Sequence, residues 1–97
     1  MAGYYLVPDA RLDLISIVDY IMDESTTSAL RVQERFLEIF SLIGENPNVG
    51  HLREDLTTRP VRFFPVFSYL VIYLPDTNPV QIVRVLGAAQ DVKNILN

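Results

Sequence analysis

Ninety-seven residues suffice for one core and are too few for two, so the chain is read as a single domain over 1–97. Apolar residues make up 49% of it and the mean hydropathy is +0.21, which excludes intrinsic disorder and leaves apolar surface to spare for a bound partner. With no cysteine, disulfides, thiolate zinc sites and thiol nucleophiles are excluded; a net charge of −4 argues against nonspecific nucleic-acid binding while leaving room for a local basic patch, and no direct specific nucleic-acid binding is expected.

In chain order, Tyr4–Val7 is a short apolar run that predicts a strand, and Pro8 is suited to opening a helix, whose first turn needs no proline N–H. From Arg11 to Glu24, Asp9, Asp13, Ser16, Asp19 and Asp23 recur every three or four positions while Leu12, Leu14, Ile15, Ile17, Val18, Ile21 and Met22 fill the rest. That spacing predicts an amphipathic helix with a wide apolar side and an acidic, solvated stripe. After the polar break Glu24–Ser28 the helical period resumes at Ala29 with Val32, Phe36, Ile39, Phe40 and Ile43 inward, and Gly44 with Asn46-Pro47 ends it. Residues 48–59 read as a loop containing His51. Three strand-like runs follow, Val61–Val66, Tyr69–Leu74 and Val80–Leu86, the last two joined by the proline-bounded turn 75–79 of an antiparallel hairpin. Ala88–Leu96 reads as a short helix or a tail. The start, Met1–Tyr5, lacks the basic head and apolar run of a secretory signal, and no apolar stretch approaches the roughly 18 residues of a membrane span, so a cytoplasmic protein with no membrane contact is expected.

Side chains alternate across a strand, so Val80, Ile82, Arg84 and Leu86 share one face and Gln81, Val83 and Val85 the other. If Leu70, Ile72 and Leu74 pack on the helices, Tyr69, Val71 and Tyr73 face away from them. Setting Arg62 and Arg84 on that same face gives a cation-and-aromatic concave surface suited to a carboxylate, a phosphate or a peptide. Alternatively the tyrosines are half-buried packing residues, and Arg84 pairs with a local acid such as Asp91. His51 has no second histidine or carboxylate at a ligand spacing, so no metal site and no cofactor is expected. Phosphate-loop and nucleophile-elbow motifs are absent from the sequence, and one lysine with one histidine is a poor kit for general acid–base cleavage of RNA.

Several local motifs, taken in order, carry a resemblance that spans nearly the whole chain: Asp19-Tyr20-Ile21, Glu45-Asn46-Pro47-Asn48-Val49-Gly50, Arg53-Glu54-Asp55-Leu56, Arg62-Phe63-Phe64-Pro65, Tyr69-Leu70-Val71-Ile72-Tyr73 and Ile82-Val83-Arg84-Val85-Leu86. In this order and spacing the chain resembles ParE-type toxins of the RelE/ParE toxin–antitoxin superfamily. The resemblance implies an α+β fold, with an N-terminal strand and an α-helical hairpin packed on a small antiparallel β-sheet. It further implies a type II toxin that stabilises the cleaved-DNA complex of DNA gyrase without being an enzyme. A ParD-like antitoxin would neutralise it in a toxin–antitoxin hetero-oligomer. Arg62, Tyr69, Tyr73 and Arg84 are the partner-binding residues expected, Arg84 matching the family's arginine on the last strand, and the Gly87–Asn97 tail is a further candidate.

A common superfamily ending places a histidine after Val-Leu and an arginine before the aspartate, where this chain has Gly87 and Gln90. Their loss removes a proton-transfer candidate and a cation. It weakens the alternative reading, a RelE-like ribosome-dependent mRNA endoribonuclease using Arg62, Arg84 and Tyr73. It also leaves open an attenuated toxin that only binds its antitoxin.

Overall fold

A computed structural model describes residues 3–97; Met1 and Ala2, part of the domain expected over 1–97, lie outside the described residues. The elements run β1 (Tyr4–Leu6), α1 (Pro8–Met22), α2 (Thr26–Glu45), β2 (Arg62–Val66), β3 (Tyr69–Leu74), β4 (Val80–Gly87) and α3 (Val92–Leu96). Pro8 occupies the first turn of α1 behind an extended Val7, as its missing N–H allows. Ser25 caps α2, its Oγ accepting the Ser28 N–H at 3.2 Å. At the other end of α2 the Asn46 amide donates back to the Leu42 carbonyl, and Asn46-Pro47 stops the helix.

The sheet order is β1-β4-β3-β2, with β2–β3 and β3–β4 antiparallel and β1 parallel to β4, so the sheet is mixed. Between β3 and β4, Thr77 Oγ1 donates to the Leu74 carbonyl and accepts the Gln81 N–H, fixing the turn that contains a cis Asn78–Pro79 bond. β1 reaches β4 only at Val80–Ile82 before the chain turns into α1. Gly44 lets α2 approach this strand closely, since a Cβ there would lie 2.8 Å from the Gly3 carbonyl.

Two cores lie on opposite faces of the sheet. Phe36, Ile39, Phe40 and Ile43 of α2 meet Val66, Val71, Tyr73, Val80, Ile82 and Val85, with Tyr69 and Phe64 at the margin. On the other face Phe63, Leu70, Ile72 and Leu86 are covered by Val92 and Leu96 of α3 and by Val61. Arg59 donates to the Leu96 carbonyl and Thr57 Oγ1 to Asn97 Oδ1, tying the 52–61 loop to the C-terminal turn.

Two face assignments made from alternation are corrected by this arrangement. The tyrosine side of β3, rather than the leucine side, packs on the helices, because α3 and the loop supply a second apolar cover for Leu70 and Ile72. In β4 the pairing jumps from Ile72–Arg84 to Tyr73–Ile82, leaving Val83 as a bulge. One extra residue shifts the phase, so Val85 joins Val80 and Ile82 on the helix face while Leu86 joins the α3 face.

Candidate partner-binding surface

The four residues expected on one concave face are held instead by three separate sets of contacts. Tyr73 is 0% exposed. Its hydroxyl donates to the Pro47 carbonyl at 2.7 Å and accepts the Gly50 N–H at 2.8 Å, so both sides of the oxygen are used. Burial pushes the phenol above its ordinary pKa and keeps it neutral. A Cβ on residue 50 would lie 2.6 Å from that oxygen, which is why glycine stands there. Arg62, opposite Tyr73 in the β2–β3 register, donates to the Gly50 carbonyl at 2.8 Å. Arg62 and Tyr73 therefore do share a face, but together they fasten the loop that follows α2. Tyr69 is half-buried and meets Phe36 edge-on, ring centroids 5.7 Å apart.

Arg84 pairs with Asp13 of α1, 71 residues away, and not with the nearer Asp91. Its Nε and Nη2 donate to the two carboxylate oxygens at 2.8 and 2.9 Å, a bidentate geometry. The same carboxylate accepts the Val85 N–H at 2.9 Å. This pair raises the Arg84 pKa further above its ordinary value. Asp13 is thus drawn out of the solvated stripe assigned to it by spacing, since past Ile82 the β1 side of β4 has no strand partner and a side chain takes the amide. Among the described residues no cluster of three or more His, Cys, Asp or Glu is placed to hold a metal. His51 is exposed; its backbone pairs with Phe63.

What remains outside is more informative. Leu12 is 62% exposed and Ile15 51%, and with Asp19 and Met22 they follow one another at three- and four-residue steps, which places them on one stripe of α1. Asp9, Asp23 and Glu24 are exposed on the same helix or its end, and among the described residues these acids and Asp19 make no ion pair. Sequence spacing had put Leu12 and Ile15 inside; the signal that could have found them is the excess of apolar residues over what one helix face can bury. Tyr20, at 69%, and Phe67, at 65%, are strongly exposed aromatic residues. A concavity of about 430 Å³ lies apart from these, in the 52–61 loop among Leu52, Arg53, Thr58, Arg59 and Pro60.

No helix among the described residues is long and apolar enough to cross a membrane. A solved structure described as the chromosomal ParDE TA system from P. aeruginosa has a similar fold, with a TM-score of 0.73 at 20% identity, over 90% of this chain and 96% of that one. No curated relative matches the sequence. Residues 4–92 match the family described as the ParE toxin of the type II toxin-antitoxin system, parDE. The strand, helical hairpin and four-stranded sheet just described therefore belong to a member of the ParE toxin family of type II toxin–antitoxin systems.

Proposed function

We propose that this toxin acts in the cytoplasm on DNA gyrase, stabilising the cleaved-DNA complex without chemistry of its own, and that a ParD-like antitoxin silences it in a hetero-oligomer. The observation that supports a noncatalytic action is the internal use of the residues a RelE-like ribonuclease would recruit. The Tyr73 hydroxyl is buried between Pro47 and Gly50, the Arg84 charge is neutralised by Asp13, and Arg62 is bonded to Gly50. Cleavage of RNA needs an available base, an available acid and cations free to meet developing phosphorane charge. Arg62, Tyr69 and Arg84 keep part of their surface and act at the margin of the partner contacts, while Tyr73 acts through the loop it holds.

Antitoxin capture is read onto α1. An apolar stripe of Leu12, Ile15 and Met22 beside Asp19, Asp23 and Glu24 suits a segment bearing leucines and lysines or arginines that orders as it binds. Purified toxin with gyrase, ATP and supercoiled plasmid tests the action directly: protein-trapped linear DNA is the expected product, with messenger RNA left intact in a parallel translation extract. Intact plasmid with cut RNA would move the function to the ribonuclease branch. Neither effect, with antitoxin binding retained, would identify an attenuated toxin.

A further inference from the structure

At the turn between β2 and β3 the chain places an aromatic residue where the backbone disfavours it. Phe67 has φ of 56°, in the left-handed region that suits glycine or asparagine and is an outlier for a bulky side chain. The ring gains no burial in exchange, being 65% exposed, whereas Phe36, Phe40 and Phe63 are all inside. Its base is rigid. Val66 pairs with Tyr69 across the turn, the Ser68 carbonyl accepts the Ala88 N–H at 2.8 Å, and Gln90 Oε1 accepts the Gly87 N–H at 2.6 Å. A side chain presented from a fixed turn loses little freedom on contact, which favours its use as an anchor.

The surroundings specify the kind of surface it meets. No charged residue occurs between Arg62 and Asp76 or between Arg84 and Asp91, so the exposed residues about Phe67 that these bonds bring together are Ser68, Ala88, Ala89 and Gln90. A wedge between DNA bases needs cations beside it to hold the phosphates, and neither 63–75 nor 85–90, the segments that form this turn and its support, supplies one. It also differs in chemistry from the acidic stripe of α1, as expected for a different partner. We propose that Phe67 is the anchor by which the toxin docks on its protein target, the ring entering an apolar recess of gyrase with Ser68, Ala88 and Gln90 closing around it. This rests on the gyrase reading above.

The test uses Phe67→Gly and Phe67→Asn in the full chain, with the unaltered toxin alongside. Relief of the left-handed strain is expected to raise Tm by about 4 °C. Affinity for the antitoxin encoded beside the toxin stays within about twofold, and the concentration needed to trap gyrase on cut plasmid rises tenfold or more. Equal trapping by toxin and variants would overturn the role of Phe67 while leaving the gyrase reading intact; no trapping by the unaltered toxin would overturn both. A lower Tm would show that the ring serves the fold, and a selective loss of antitoxin binding or of binding to naked plasmid would assign it to another occupant; any of these overturns the proposal.

Discussion

Helix α2 seals Ala29, Phe36, Ile39, Phe40 and Ile43 against its surroundings, whereas α1, proportionally richer in apolar residues, fully buries only Ala10. Both have helical periodicity, so periodicity alone does not separate them. The difference lies in what each helix has available to cover. α2 crosses the open helix-side face of the sheet and buries one stripe completely, with Leu30, Leu37 and Leu42 left outside it, while α1 runs along the flank of β4, turns Asp13 inward, and leaves Leu12 and Ile15 outside. On the proposed reading of α1, scaffold and interface are divided between two adjacent helices of one hairpin.

Phe40→Ala tests the scaffold half of that division and should have the largest effect, about 3–5 kcal/mol lost in urea unfolding, because a ring at the centre of the helix-side core leaves a cavity. Arg84→Ala comes next: it strips the Asp13 carboxylate of two of its three donors, for about 2 kcal/mol in this partly exposed setting, and Arg84→Lys recovers only part of it by giving up the bidentate fork. If toxicity per folded molecule fell much further than stability, Arg84 would belong to the interface as well as to the scaffold.

Tyr73→Phe should cost about 1–2 kcal/mol by leaving the Gly50 N–H and Pro47 carbonyl unpaired. The phenol's folded pKa is raised above its ordinary 10.0, so its contribution is fully present below that pH and is lost as pH rises through the folded value. The urea midpoints of the two proteins should therefore draw together as pH is raised above 10.0 toward the folded-state ionisation of the tyrosine. The smallest stability change is expected for Leu12→Ser with Ile15→Ser, within about 0.5 kcal/mol, combined with at least tenfold weaker antitoxin binding in a titration. A large fall in Tm for that pair would erase the distinction between the helices.

Local pattern was sufficient for much of the architecture. Pro8, the Ser25 region and Asn46-Pro47 mark the helix ends through backbone chemistry that acts within a turn, and Tyr69–Leu74 is a strand with the limits its alternation predicts. What was not legible depends on distant partners. The Val83 bulge is set by how β4 meets β3 and reverses the faces of every residue after it. Asp13 and Arg84 are separated by 71 positions, and nothing near Asp13 distinguishes it from the exposed Asp19. The parallel pairing of β1 with β4 is likewise a long-range choice. Phe67-Ser68 carries none of the Asn-Gly signal by which tight hairpin turns are usually found, so its left-handed residue appears only in the backbone itself.

The meeting of Asp13, Arg84 and Val85 has a consequence for solubility. An unaccompanied strand edge is a template on which another extended chain can add, and small sheets are prone to aggregate along it. Past Ile82, β4 has such an edge, and the Asp13 carboxylate sits on its Val85 amide with the Arg84 guanidinium locked beside it. An incoming strand would have to break a bidentate ion pair before it could form its first bond there. The pair thus serves as a gatekeeper, withholding the β4 backbone in a molecule that already leaves Leu12 and Ile15 of α1 exposed.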